Sequence, residues 1–504
     1  MPHGHLTHLK ARLLIILSNQ YINNPSSEDL WNKPALELAS LISRREISSV
    51  EVVSTFIQRI NKYNPLLNAF LTVGYENALK AAEKADNKVM NGDEIGPLHG
   101  LPISVKDLER TKGIRTTFGS LIFANHVPES DSGVVEKIKA AGCIIIGKSN
   151  TPEFGVYGTE TSNRLGEPCH NPWDISRTTG GSSGGAAVSV VTRMSPLGTA
   201  TDGGGSIRIP ASYCGVFGIK PSQGTVTRYS GLPDQYIQPI LSQPGPVANS
   251  VADAALLLQI MSGYDHRDSS TKNSPTRDYI DALGKPVDKL RVAWSPDLGY
   301  AMSDPDVLDL THNAAKIFDD ICAFVEEPGI KLDNPFPALG PIQSANTYTA
   351  YGHLYAEHKD RLMPGTIQRL EEGKKVTGTE YAYALHLVQI LKYQVDRIFD
   401  DYDLLLTPSM PTSAFIQGMQ PTKVGNNPMG PGGYNAFNPV FNLTGHPAAS
   451  IPCGFTNKET PVGLQIVGRH GEESNIFKAA TEFEKRMPWR HKLPPSCDTN
   501  GKLV

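Results

Sequence analysis

Cysteine is sparse in this 504-residue chain, and the six present, Cys143, Cys169, Cys214, Cys322, Cys453 and Cys497, form no CxxC pair. Free thiols in a reducing compartment are the plain reading of that pattern, so a cytoplasmic location is the expectation. Charge is also modest: charged residues make up 19% and the net charge is −4, with no long basic run. Nucleic acid is therefore not expected as a partner. No apolar stretch reaches the roughly 18 residues that a membrane span needs, so no membrane association is expected. Lys10 and Arg12 precede only a five-residue apolar run, Leu13 to Leu17. That is shorter than the about 7–15 residues of a signal-peptide core. Internal repeats, low-complexity tracts and convincing linkers are missing as well. The chain is expected to be an extension over 1–32, one domain over 33–490 and a tail over 491–504. The extension is expected to cap the domain or mediate association, and a homodimer is left open.

What is present is a soluble globular composition, 39% hydrophobic, in a chain long enough to bury a large core. Ser48-Ser49-Val50-Glu51 is a capping-box pattern, and Val50, Val53, Phe56, Ile57 and Ile60 follow at helical spacing. Asn64-Pro65 is expected to stop that helix. A second helix is expected through Ala78, Leu79, Ala82 and Ala85. In Gly100 to Asp107, Ile103 and Val105 alternate with Ser104 and Lys106, the period of a short strand. A helical stretch, Gly133 to Ala141, leads into Cys143-Ile-Ile-Ile146, an unbroken apolar run that reads as a strand buried on both faces. A further helix near Glu380–Tyr402 runs into Leu404-Leu405-Leu406. This alternation predicts an α/β fold with a largely parallel or mixed sheet. Residues 410–455 are rich in Pro, Gly and Asn but interleaved with apolar residues, which predicts ordered loops near a site.

Two glycine-dense loops each present a serine: Thr178-Thr-Gly-Gly-Ser-Ser-Gly-Gly185, and Gly198-Thr-Ala-Thr-Asp-Gly-Gly-Gly-Ser-Ile-Arg208. Glycine permits left-handed backbone and close approach of a substrate. The run Gly203-Gly204-Gly205-Ser206 can turn successive N–H groups toward one point, which builds an oxyanion hole from backbone alone. One such loop is most simply a connection. Two, with serines at 182 and 206 and a lysine-bearing strand upstream, ask for chemistry.

The ordered set Pro102-Ile-Ser-Val-Lys-Asp107, Gly147-Lys-Ser-Asn-Thr-Pro-Glu-Phe154, Gly180-Gly-Ser-Ser-Gly-Gly185, Thr201-Asp-Gly-Gly-Gly-Ser-Ile-Arg208 and Pro461-Val-Gly-Leu-Gln-Ile-Val-Gly468 resembles the amidase signature family over roughly residues 33 to 490. The resemblance implies an amide hydrolase built as a single α/β domain with a central mixed sheet covered by helices, in which residues of about 280–400 are expected to form a helical excursion shaping the substrate entrance. It implies Ser206 as the acylated nucleophile, and Ser182, preceded by a cis peptide, as the proton relay. Lys106 is then the base, with the amides of Gly203, Gly204, Gly205 and Ser206 as the oxyanion hole. Ser183, Asp202 and Arg208 read as supporting scaffold, and for the last two a surface ion pair is the plain alternative. Gly203 departs from the larger residue found in many members, which should leave the hole intact but make its backbone looser or the pocket floor roomier. No metal or organic cofactor is implied. A small-molecule amide is the expected partner, and carbamates or esters present a similar carbonyl. The family also includes the glutamine-hydrolysing subunit of the tRNA-dependent amidotransferase, a second functional reading.

The chemistry is coherent. A serine hydroxyl is a weak nucleophile until a base takes its proton. Lysine serves as that base only when neutral, which burial promotes. Two other patterns compete. Gly142-Cys-Ile-Ile-Ile-Gly-Lys-Ser149 satisfies GxxxxGK[ST], but a helix precedes it and its intervening residues read as a strand, not a phosphate loop. Gly180-Gly-Ser-Ser-Gly184 satisfies GxSxG, which would make Ser182 a nucleophile served by His446 or His470. Residues 176–179 do not read as the buried strand such an elbow needs.

Overall fold

The computed structural model describes residues 27–156, 158–232, 241–271, 277–430 and 432–497. The expected extension lies almost wholly outside the described residues, as does the tail past 497.

The expected central sheet is mixed and has eleven strands among the described residues. In chain order these are β1 (Phe70–Val73), β2 (Pro102–Lys106), β3 (Ile144–Ser149), β4 (Leu197–Asp202), β5 (Phe217–Lys220), β6 (Gln243–Ala248), β7 (Arg291–Trp294), β8 (Phe324–Glu326) and β9 (Leu404–Pro408). After a small hairpin of β10 (Lys423–Val424) and β11 (Asn427–Pro428) come β12 (Ala448–Phe455) and β13 (Pro461–Gly468). Their spatial order is β1-β3-β2-β4-β6-β5-β12-β13-β9-β7-β8. β2 runs parallel to both β3 and β4, whereas β4 and β6 are antiparallel. Helices cover both faces, so β2 and β3 are buried along their whole length. That burial explains the unbroken apolar run Ile144 to Ile146 in β3, whereas β2 carries Ser104 and Lys106 into the interior.

The helix after Ser48 spans Ser49–Leu67 and carries both hydrogen bonds of the capping box. Asn64-Pro65 does not stop it. Pro65 lies in the last turn, where its missing N–H costs one hydrogen bond only. The helix ends instead at Asn68, left-handed at φ 47°. The expected later helix is Gly378–Asp401, feeding directly into β9.

The helical excursion is narrower than 280–400. Residues 291–294 and 324–326 are strands of the main sheet, β7 and β8. Short apolar runs such as Val292-Ala293-Trp294 pack as buried strands beside β9. The excursion proper is three helices, Phe336–His358, Pro364–Lys375 and Gly378–Asp401. The first two pack on each other and flank a cleft at one end of the sheet.

All six cysteines are free. No described helix is long and apolar enough to cross a membrane.

Candidate active site

β2 and β4 are neighbours, and each ends at the cleft with a motif residue: Lys106 on β2, Thr201 and Asp202 on β4. The loop before the helix Gly184–Val191 supplies Ser182 and Ser183. Motif residues far apart in the chain thus meet because parallel strands deliver their C-terminal ends to one edge.

Lys106 is fully buried. Its Nζ lies 2.8 Å from Ser182 Oγ, 2.7 Å from Ser183 Oγ, 2.9 Å from Thr201 Oγ1 and 3.4 Å from the Thr201 carbonyl. Burial pulls its pKa from the usual 10.5 to about 7, against the opposing pull of the Asp202 and Glu109 carboxyls. A lysine so placed exchanges its proton with a hydroxyl near neutral pH. Its neighbours are hydroxyls rather than carboxylates, so nothing in direct contact fixes its positive charge.

The Gly181–Ser182 peptide is cis. Ser182 and Ser206 both line the cleft, and Ser206 Oγ has no hydrogen-bond partner among the described residues. Its backbone is tied to the first serine loop, since the Ser183 N–H donates to the Ser206 carbonyl at 3.2 Å.

Asp202 and Arg208 are a fully buried pair rather than a surface one. Arg208 Nε donates to Asp202 Oδ2 at 2.9 Å and Nη2 to Oδ1 at 3.0 Å, a bidentate fork. Asn442 Nδ2 donates to Asp202 Oδ1 at 2.8 Å, and Arg208 Nη1 donates to Gln465 Oε1 at 2.8 Å. Burial works to raise the Asp202 carboxyl, but Arg208, Asn442 and Lys220 hold it well below the usual carboxylate range.

This pair shapes the glycine loop. Asp202 accepts from the N–H of Gly205 at 2.6 Å and from that of Ile207 at 3.1 Å. The Gly205 amide is therefore committed to Asp202 and does not join the expected oxyanion hole. The amides of Gly203, Gly204 and Ser206 have no partner among the described residues. Gly205 has φ +119°, and a Cβ there would stand 2.9 Å from both Asn438 Cβ and Ile209 Cδ1, so the turn admits glycine alone. A Cβ on Gly203 would meet nothing nearer than Ser242 at 3.7 Å, in keeping with a roomier floor.

The cleft has a volume of about 710 Å³. Leu108, Phe154, Val156, Leu241, Phe336 and Tyr351 give it apolar walls, and Phe154 and Tyr351 are stacked. Glu109, Arg228 and Arg369 are its charged members among the described residues. Arg228 faces Asp268 at 3.7 Å, and Arg369 reaches Gln343 and Ser344. As expected, the 410–455 stretch contributes to the wall, through Gln420, Gly432, Tyr434 and Asn435.

The rival patterns find no support in this arrangement. Cys143 to Ser149 holds strand β3 rather than an open loop, and the buried Lys148 donates to the Glu109 carbonyl and to Thr111 Oγ1. No histidine lines the cleft among the described residues. His446 is buried elsewhere, 2.9 Å from Thr444 Oγ1, 3.0 Å from Asp396 Oδ1 and stacked on Phe399. His470 lies against His446.

Sequence reasoning missed Thr201, although it sits inside a quoted motif. It also missed Asn438, Asn442 and Gln465, which grip Arg208 from more than 200 positions away. Gln465 sits inside the quoted Pro461 to Gly468 motif, whereas no local signal marks Asn438 and Asn442. Asn435, whose side-chain amide donates to the Gly204 carbonyl, is equally silent in the sequence.

The glycine-loop Ser182 thus stands beside the buried Lys106 at the C-terminal end of β2, within a mixed sheet. The family model described as Amidase matches residues 51–477, and the chain belongs to that family. A glutamyl-tRNA(Gln) amidotransferase subunit from Carboxydothermus hydrogenoformans is 34% identical over 495 residues, 93% of this chain and 99% of its own. The acylamidase of Rhodococcus erythropolis is 32% identical over 464 residues, 91% of this chain and 96% of its own. Among solved structures, that of a bacterial aryl acylamidase of the amidase signature family superposes with a TM-score of 0.85 at 27% identity, covering 91% of this chain and 96% of its own.

Proposed function

We propose that this chain hydrolyses a carboxylic amide through an acyl-enzyme on Ser206, with Ser182 as the relay and Lys106 as the base. The observation that carries this is the neutral-leaning Lys106, fully buried and 2.8 Å from Ser182, which lines the cleft where Ser206 keeps a free hydroxyl. Neutral Lys106 takes the Ser182 proton as Ser182 takes that of Ser206, and Ser206 Oγ attacks the carbonyl carbon. The developing oxyanion lies against the free amides of Gly203, Gly204 and Ser206. Ser182 then returns a proton to the departing nitrogen, and water cleaves the acyl-enzyme along the same path.

The preferred substrate is an amide with a sizeable apolar or aryl part. A cleft of about 710 Å³ with Phe154, Tyr351 and Phe336 in its wall suits such a molecule. Carbamates and esters of similar shape fit the same chemistry.

A second reading, glutamine hydrolysis within a tRNA-dependent amidotransferase, is favoured by the 34% identity to a relative of that kind. Free glutamine carries a carboxylate and an ammonium. Arg369 offers a partner for the first. The one carboxyl among the described lining residues, Glu109, is pushed up toward its neutral form by burial, which weakens it as a partner for the second.

The discriminating experiment measures hydrolysis of an aryl acylamide, a short aliphatic amide, an aryl carbamate, an ester and glutamine by the purified chain. Turnover of the aryl acylamide by this chain alone supports the first reading. Glutamine turnover alone, or activity that appears only with copurified partner proteins, supports the second.

A further inference from the structure

We propose that Gln343 is a positioning residue of the oxyanion hole: its side-chain amide holds the Gly203 carbonyl and thereby aims the Gly204 N–H into the cleft. The proposal rests on the amide-hydrolysis reading above.

The peptide planes of the glycine loop decide where its amides point. In a trans peptide the C=O of one residue and the N–H of the next point in opposite directions. Among the described residues the one cis peptide is Gly181–Ser182, so the four peptides from Asp202 to Ser206 are trans. A donor that grips a carbonyl of this loop therefore turns the following N–H the other way.

All four carbonyls are gripped. Asn442 Nδ2 donates to the Asp202 carbonyl at 2.9 Å, Gln343 Nε2 to that of Gly203 at 3.4 Å, and Asn435 Nδ2 to that of Gly204. The Ile209 N–H donates to the Gly205 carbonyl at 2.7 Å. The amides that follow are, in turn, those of Gly203, Gly204, Gly205 and Ser206. The Gly205 amide is committed to Asp202 at 2.6 Å, and Gly205 does not line the cleft. Gly203, Gly204 and Ser206 do line it, and theirs are the free amides.

Three of the grips are firmly seated. Asn442 is buried and donates to Asp202 Oδ1 as well, Asn435 accepts from Asn438 Nδ2 at 2.7 Å, and Ile209 belongs to the helix Arg208–Cys214. Gln343 differs. It comes from the helix Phe336–His358 of the excursion, is half-buried at the cleft, and makes the longest of the four bonds. Arg369 Nη1 steadies its carboxamide oxygen at 3.5 Å. A Cβ on Gly204 would stand 3.1 Å from Gln343 Nε2, so the carboxamide lies against this peptide. Among the described residues nothing else holds the Gly203–Gly204 peptide, which has glycine on both sides and turns freely without a grip. An N–H that swings away from the developing oxyanion loses its share of the stabilisation, because a hole works by being set in advance. The ground-state carbonyl carries less charge, so the loss falls on kcat rather than KM.

The test uses Gln343→Met, which keeps length and volume without a donor, and Gln343→Glu, which keeps an acceptor toward Arg369 without the N–H. Steady-state kinetics are measured on whichever of 4-nitroacetanilide and 4-nitrophenyl acetate the wild type turns over faster. Inhibition is measured with trifluoroacetophenone and with 1-phenyl-2,2,2-trifluoroethanol. With the ketone, Ser206 Oγ bonds to the carbonyl carbon, its proton passes through Ser182 to Lys106, and the former carbonyl oxygen becomes the oxyanion. The alcohol has a similar shape and forms no such adduct. Both variants should lose roughly tenfold in kcat with KM within about threefold, less than the about 10²–10³ that follows outright removal of a hole donor. Both should bind the ketone roughly tenfold more weakly and the alcohol within about threefold. Unchanged kcat and ketone affinity in Gln343→Met overturn the proposal while leaving amide hydrolysis intact, as does wild-type behaviour of Gln343→Glu. Equal weakening of ketone and alcohol, or a rise in KM without loss of kcat, overturns it too, since Gln343 would then be a plain wall of the cleft. Wild type that hydrolyses neither compound and binds the ketone no better than the alcohol overturns both readings together.

Discussion

Replacing Lys106 with methionine should remove activity and flatten the pH dependence of stability. In the folded protein this lysine titrates at about 7, against 10.5 for an ordinary lysine. Between those values the unfolded chain holds a proton that the folded chain releases. Stability therefore rises with pH from about 7 toward 10.5 and is flat below that window. The linkage cost to the wild-type fold is about 4 kcal/mol at pH 7 and about 2 kcal/mol at pH 9. Methionine fills much of the same volume without the charge. It forfeits hydrogen bonds to the hydroxyls of Ser182, Ser183 and Thr201, each about 1 kcal/mol. At pH 7 the variant should thus lie within about 2 kcal/mol of wild type. From pH 7 to pH 9 the wild type should gain about 2 kcal/mol more than the variant. Other groups that titrate in this window, Lys137, Lys148, Lys220 and Glu484, are common to both chains and cancel in the difference. Urea unfolding of both proteins at the two pH values reads this out. Parallel behaviour of the two proteins from pH 7 to 9 would refute a neutral-leaning Lys106.

Further outcomes are expected. The wild-type kcat/KM should fall about tenfold for each pH unit well below 7, as Lys106 becomes protonated and the base is lost; a flat acid limb argues against lysine. Asp202→Ala should lower stability by about 3–5 kcal/mol in urea titrations, because it strands the buried Arg208 cation, whereas a loss below about 1 kcal/mol would mean the pair is not a keystone of the loop. Gly155→Ala places a Cβ against Leu108 and Ser182 at φ +71°, and should raise KM or lower kcat by at least tenfold while unfolding shifts far less; wild-type kinetics would contradict so close a fit there. His446→Ala should keep kcat within about tenfold of wild type, since its partners are Thr444 and Asp396 rather than the serines, and abolished turnover would revive a histidine mechanism.

The elements with strong local periodicity were readable in advance. Ser48's capping box, the alternation in β2 and the apolar run of β3 each appear where the pattern places them. Failures came where tertiary context decides. Pro65 is tolerated because the helix has only two residues left to run. β7 and β8 are too short to show a period, and the parallel pairing of β7 with both β8 and β9 is a non-local fact. The same holds at the site. Lys106, Ser182 and Ser206 lie within motifs, so the cleft that gathers them could be anticipated. The diversion of the Gly205 amide to Asp202 depends on the Arg208, Asn442 and Gln465 network, two of whose members come from the far end of the chain. Glu109 drew no notice because a glutamate next to a motif reads as a solvated charge until its place in the cleft is seen.

The central claim is that Ser206 carries the acyl group. Its most direct test is a rapid acid quench of the enzyme with an activated aryl ester, followed by intact-mass measurement and peptide mapping. One acyl group per chain on Ser206, absent in Ser206→Ala and reduced in Lys106→Met, is the predicted result. An acyl group on Ser182 instead, or one that persists in Ser206→Ala, would contradict the assignment of nucleophile and relay.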